Sequence, residues 1–381
     1  MQSLSPASPE ELAEALAQAA SAGKTITLGG AFTKSAMGGP VSVSEVNLTT
    51  TCLNRVRQYE PRDLTISVET GMPYAELQRL LAANRQMIPL DTPFADQATV
   101  GGIVASGSSG PRRRLYGTSR DLVIGMTFAT LEGKLIQTGG MVVKNVAGLD
   151  MGKLMIGSFG TLAALAVVNF KVLPAPAGSR TFIQSFGSAA EALQARDGVL
   201  RSVLQPAALD LLNPAGAKRI GQEGWTLLIQ AVGNEAVLDR CGRELAGAEA
   251  VAGEAEEALW RAIREFTPAF LEEAAEGTVV RASCTLTQVV AAMESMGTPA
   301  LARAGNGVVY GYFPNPQPAA AWMEKAAAAG WKSVMEFAPP AEKERLTLWP
   351  SPGNDFETMK RIKQMFDPKN LLNRGRLYGR I

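Results

Sequence analysis

The sequence predicts an α+β fold built from more than one domain, and three observations carry that reading. At the N-terminus a helix, a short β run and a glycine turn follow one another, and the same order returns further along. A Pro/Gly cluster, Pro174-Ala175-Pro176-Ala177-Gly178, stands directly after the most apolar stretch of the chain. Beyond it, strand-like runs alternate with Ala-rich amphipathic helices. The 381 residues, 46% of them hydrophobic, exceed the roughly 100–200 residues of one ordinary domain.

Taken in order, Ser8-Pro9-Glu10-Glu11 reads as a helix N-cap with Pro at the first helical position and a capping-box Glu. Leu12, Ala15, Leu16 and Ala19 continue at helical spacing to Gly23. Thr25 to Leu28 is a β run that empties into Gly29-Gly30. Leu64 to Glu69 alternates Ile66 and Val68 with polar neighbours, stops at Gly71-Met72-Pro73, and gives way to a helix carrying Leu77, Leu80 and Leu81. Asp91 to Arg120, with five glycines among small residues, is too poor in bulky side chains for a core element and is expected to wrap close to something. Leu122–Leu131, Glu132-Gly133 and Lys134–Thr138 form a β-hairpin signal. Leu154–Leu173 is the most apolar continuous segment. In the second half, strands are expected at Thr181–Phe186, Thr226–Val232, Thr278–Ser283 and Val308–Phe313. Helices are expected at Ala189–Leu204, Glu235–Leu245, Glu254–Glu273, Leu286–Met296 and Ala319–Ala329.

Composition narrows the function. Lys and Arg total 37 against 36 Asp and Glu, so no single-sign field points to nucleic acid or an anionic membrane. Cys52, Cys241 and Cys284 are odd in number and widely spaced, which suits neither a disulfide framework nor a CxxC ligand set and fits a reducing cytoplasm. Met1 to Glu14 lacks a basic segment followed by an apolar one, and no stretch of about 18 apolar residues occurs, so secretion and membrane spanning are not expected. The chain contains no histidine, which removes the commonest general base and metal ligand.

Two glycine-bearing stretches stand out. Gly29-Gly30-Ala31-Phe32-Thr33-Lys34-Ser35 follows a strand with glycines, hydroxyls and a cation, a composition whose backbone N–H groups can converge on phosphate. Many strand-to-loop turns look similar, so this stretch alone does not assign a ligand. Ala98 to Pro111 is a second such stretch about 70 residues further on. Two separated stretches suit a long ligand with a pyrophosphate in its middle, and the Val/Ile/Ala content of the second is too apolar for a solvated linker. Gly305-Asn306-Gly307 precedes a strand and has the wrong spacing for a dinucleotide fingerprint, so it reads as a strand-entry turn. Arg112-Arg113-Arg114 is either a solvated charge run or a surface for an anionic partner.

Asp63 to Pro73, Leu90-Asp91-Thr92-Pro93, Ala98 to Gly102, Val142 to Asp150, Gly157 to Leu162 and Phe366 to Arg376 occur in an order that resembles the FAD domain of the vanillyl-alcohol-oxidase/PCMH flavoprotein superfamily. Ser109-Gly110-Pro111-Arg112-Arg113 with Lys144-Asn145-Val146-Ala147-Gly148 is similar, within it, to the FAD-binding E subunits of bacterial glycolate oxidase. The resemblance implies a PCMH-type FAD-binding domain of two α+β subdomains over 1–176, a smaller α+β cap over 177–345, and a C-terminal segment, 346–381, that returns to the FAD domain. It implies noncovalent FAD, with the backbone of Gly29, Gly30, Ala31, Phe32, Thr33, Lys34 and Ser35 on the pyrophosphate. Thr99, Gly101, Gly102, Ser106, Gly107 and Gly110 would line the flavin and ribityl chain. Gly160, Thr161 and Leu162 would lie near the dinucleotide, Asn373 near the flavin ring, and Lys144 would face a substrate carboxylate as the candidate catalytic residue.

The implied function is that of an FAD-binding subunit of a glycolate or 2-hydroxyacid oxidase complex. Its partners would be a homologous FAD-containing catalytic subunit and an iron–sulfur subunit, in the cytoplasm or held peripherally at the inner membrane through them. This sequence departs from the family at Ala31, Leu149, Phe159 and Arg374, none of which removes a backbone contact, and in having no histidine in the cap. Oxidising a hydroxyacid needs removal of a hydroxyl proton, and Lys144, Tyr310 or Tyr312 would serve only after a pKa shift of about 3 units, or roughly 4 kcal/mol. A stand-alone FAD-dependent oxidoreductase and a structural subunit with a vestigial FAD fold are the alternatives.

Overall fold

A computed structural model describes residues 2–141 and 150–381. Its contacts divide the chain into two units, Met1–Ser109 with Thr118–Ala175 and Ser351–Ile381, and Gly110–Gly117 with Pro176–Pro350.

The first unit contains ten strands: β1 (Gln2–Leu4), β2 (Ile26–Gly29), β3 (Val46–Thr49), β4 (Val56–Glu60), β5 (Thr65–Glu69), β6 (Gln86–Met87), β7 (Val123–Ala129), β8 (Leu135–Gly139), β9 (Ala164–Lys171) and β10 (Leu173–Pro174). β1, β3 and β2 form a parallel sheet in that order. The helix α1 (Pro9–Ser21) places Leu12 and Leu16 against Ile26, Val46 and Leu48. Each fully buried aliphatic chain contributes about 2 kcal/mol of transfer free energy. The Ser8 hydroxyl accepts from the Glu11 N–H at 3.1 Å, and the Glu11 carboxylate accepts from Ala7 rather than from the cap residue itself. Gly23 (φ +67°) ends the helix as its sequence position requires.

A second, antiparallel sheet runs β4-β5-β9-β7-β8. The hairpin over β7 and β8 turns at Gly133 (φ +77°), where a side chain would be strained. Helices α2 (Tyr74–Ala82) and α3 (Val100–Ser106) join its core. Here the expectation for 91–120 is corrected. Val100, Ile103 and Val104 are fully buried core residues, because the small Gly101 lets the helix approach Thr70; a Cβ there would stand 2.7 Å from the Thr70 Cβ. The apolar run 154–173 spans more than one element. Gly157 and Gly160, both at positive φ, separate the helix Met151–Met155 from β9.

The C-terminal segment closes onto this unit through the helix Phe356–Phe366. The buried Lys363 ammonium donates to the Asp367 carboxylate and to the Thr161 and Leu372 carbonyls, and Asp367 accepts from the Leu371 and Leu372 N–H groups. Leu372 then pairs in parallel with Ile26, so the tail runs beside β2.

The second unit is one antiparallel sheet of β11 (Gly178–Phe186), β12 (Ala208–Leu212), β13 (Trp225–Gly233), β14 (Glu249–Val251), β15 (Thr278–Ser283), β16 (Ala300–Arg303), β17 (Val308–Phe313) and β18 (Lys332–Phe337). Their order is β14-β11-β13-β12-β16-β17-β15-β18. The helices Ala189–Arg201, Val289–Met296 and Pro316–Ala328 join its hydrophobic core. The expected helix 254–273 is two, Gly253–Arg264 and Phe266–Glu273. Gly305 to Gly307 forms the turn between β16 and β17, as its sequence reads. Arg114, from the run read as either solvated or a surface for an anionic partner, is half-buried in this unit, where its guanidinium donates to the Pro206 carbonyl. Among the described residues no helix is long and apolar enough to cross a membrane.

Candidate FAD cleft

The end of β2 opens into a cleft lined mainly by small and apolar residues. Its first wall is the run Gly29 to Ser35. β3 braces that run from beneath, since the Thr50 N–H donates to Gly29 O and the Thr49 hydroxyl donates to Gly30 O at 2.9 Å. Phe32 sits at φ +55°, which bends the loop over. The N–H groups of Ala31, Phe32 and Thr33 make no hydrogen bond among the described residues, so three consecutive donors are left for a ligand.

The second wall is α3. Thr99 caps it, its hydroxyl accepting from the Gly102 N–H, and Gly101, Gly102, Ala105 and Ser106 face the cleft. The two walls meet at Gly30, where a Cβ would collide with the Thr99 hydroxyl. The third wall comes from the turn at Phe159 and Gly160 and from the tail. Asn373, fully buried, accepts from Leu28 N–H at 2.8 Å and donates to Leu28 O at 3.0 Å and Phe159 O at 2.7 Å. Both amide protons are thus spent on holding β2 to the Gly160 turn.

Of the residues singled out in the sequence, Gly29 to Ser35, Thr99, Gly101, Gly102, Ser106, Gly160 and Asn373 come together here. Thr161 and Leu162 do not line the cleft. The Thr161 hydroxyl donates to Ser158 O, and Leu162 belongs to the core. Gly107 (φ +63°) ends α3 behind the lining, and Gly110 belongs to the second unit. Lys144 lies outside the described residues. Sequence reasoning passed over Thr50, Thr70, Phe159 and Arg376, which also line the cleft. Arg376 carried a signal, as a cation in the tail motif, but its partner is a loop some 340 residues away. Its guanidinium donates to Ser35 O and Met37 O, at 2.7 Å and 2.6 Å, and burial pushes its pKa down to about 10.

In the second unit, Tyr310 and Tyr312 sit among Asp210, Arg303, Arg281 and Glu336. Burial pushes the Tyr310 hydroxyl up, the Glu336 carboxylate adds to the rise, and Arg281, Arg303 and Arg113 offset only part of it. Burial also raises Tyr312, against the hydrogen bond it shares with Thr267. Both shifts lead away from a base at neutral pH. Among the described residues no group of histidine, cysteine or acidic side chains could hold a metal ion, and the three cysteines are free.

The three unbonded donors, the close backbone approach and the buried cation suit a dinucleotide-binding protein. The described structure resembles p-cresol methylhydroxylase, with a TM-score of 0.76 at 14% identity over 98% of this chain and 88% of that one. The "FAD binding domain" family matches residues 3–139, and "FAD linked oxidases, C-terminal domain" matches 342–377. Glycolate oxidase subunit GlcE of Escherichia coli (strain K12) is 32% identical over 257 residues, covering 67% of this chain and 68% of that one. The chain belongs to this family of FAD-linked oxidase subunits, and FAD is its cofactor. Glycolate oxidase subunit GlcD of Bacillus subtilis (strain 168) is 29% identical over 161 residues, 42% of this chain but only 34% of that one.

Proposed function

We propose that this chain is the noncovalent FAD subunit of a glycolate-type 2-hydroxyacid oxidase, and that it works beside a homologous FAD-containing catalytic subunit and an iron–sulfur subunit. The cleft carries the reading. The backbone of 29–35 would hold the pyrophosphate, and Thr99 to Ser106 and Gly160 would face the ribityl chain and ring, with Asn373 fixing the walls. When bound, FAD supplies hydride acceptance from a hydroxyl-bearing carbon and onward electron transfer. The chain's own contribution is to bind and orient, since Tyr310 and Tyr312 both hold their protons more tightly than a free tyrosine. Lys144 remains the candidate to face a substrate carboxylate. With no set of cluster-ligand cysteines in the sequence, an iron–sulfur relay would have to come from a partner.

None of the described residues lining the cleft is His, Cys or Tyr, the side chains that most readily form a bond to flavin. Acid precipitation of the purified protein is therefore expected to release all of its yellow colour. Flavin that stays with the pellet would contradict noncovalent binding, and a chain that cannot be loaded with FAD would favour a structural subunit.

A further inference from the structure

Arg376 is 6% exposed, yet among the described residues it forms no ion pair, and its Nε has no hydrogen-bond partner. The segment left undescribed, 142–149, contains no acidic residue that could supply one. A guanidinium withdrawn from water without a counter-charge is unfavourable, and two carbonyl acceptors neutralise none of its charge. The side chain nonetheless lines the cleft, lies over the Phe159 ring at 6.0 Å, and is pinned to Ser35 O and Met37 O. It therefore stands beside the loop that carries the three unbonded N–H groups.

We propose that Arg376 is the counter-charge for the diphosphate of the bound dinucleotide, and that it makes the cleft select a diphosphate ligand over an uncharged flavin. The inference rests on the FAD reading and extends it to one residue. Arg376 still carries its proton at neutral pH, so burial primes it for an anion without discharging it. The anion would supply the missing charge, and the backbone donors of 31–33 would share the same phosphate oxygens. The two carbonyl contacts fix the guanidinium before the ligand arrives, so little side-chain entropy is lost on binding.

The test is equilibrium binding of FAD and of ADP to the apoprotein, for wild type, Arg376→Gln and Arg376→Lys. Loss of one charge-assisted contact predicts that Arg376→Gln weakens FAD and ADP alike, by about tenfold to a hundredfold. Arg376→Lys should recover most of the loss, and raising ionic strength should weaken wild type more than the Gln variant. Should Arg376→Gln fail to fold, Arg376→Met replaces it, keeping the apolar stem against Phe159 without the charge. Equal FAD affinity in wild type and the neutral variant would overturn the inference while leaving the FAD reading intact. So would a loss confined to FAD with ADP unaffected, which would place Arg376 at the ring instead. A wild-type chain that bound neither FAD nor ADP would overturn both.

Discussion

Gly30 is the residue where cleft and fold constrain each other most closely. A side chain there meets the Thr99 hydroxyl, which caps α3, so it disturbs the backbone approach and the helix start together. Gly30→Val should lose flavin and also destabilise the apoprotein by about 1–3 kcal/mol, as overpacking does. Because the clash is with one neighbour, Thr99→Ala should relieve part of it, giving a coupling of at least about 0.5 kcal/mol in a four-variant denaturation series. Full flavin occupancy in Gly30→Val would remove the first loop from the site. The glycines of both walls were legible because only close approach explains so many small residues beside apolar ones. Arg376 was not legible, because nothing in a tail motif says which distant carbonyls will receive its guanidinium. For Arg112 to Arg114 the sequence left solvation and an anionic partner both open, because an Arg run does not show which backbone carbonyl one of its members will reach.

Among the elements, those with unbroken patterns were read within a few residues, including α1, α2, the β7–β8 hairpin, β15 and β17. Four strands of the second unit were missed. β12 and β16 carry Asp210 and Arg303, which break the apolar pattern but face each other as Cα partners across the ladder and pair while buried. β5 shows the converse. Its alternation of polar and apolar residues does not mark one open face, for Thr65, Ser67 and Glu69 are all buried, and Glu69 is taken up by Arg57 and the Arg55 N–H. The helix Phe356–Phe366 packs Ile362 and Phe366 against the core of the first unit, and its buried Lys363 ties it to the tail. Burial holds the Lys363 pKa down, and the hydrogen bond and charge of Asp367 oppose that shift. Lys363→Met leaves Asp367 buried with two N–H donors, and should cost about 3 kcal/mol. Hydrogen exchange at Leu372 and Asn373 should accelerate with it. Unchanged protection there would mean that the β2 pairing alone holds the tail.

Across the whole molecule, the resemblance carried both the cofactor and the return of the C-terminal segment, which no periodicity could have shown. The division into two units was marked by the Pro/Gly cluster, but the membership of 110–117 in the second unit was not, since chain order does not reveal it. What the sequence lacks weighs as much as what it contains. A chain without histidine lacks the side chain that most readily takes a hydroxyl proton near pH ~7, and Tyr310 and Tyr312 of the second unit are both pushed up, away from that role. The most direct test is anaerobic stopped-flow measurement of the flavin's visible absorbance after mixing the isolated, FAD-loaded chain with glycolate or D-lactate. The account predicts no rapid bleaching by either acid until the catalytic and iron–sulfur subunits are added; rapid bleaching of the isolated chain would contradict it and return Lys144 or a tyrosine to the role of base.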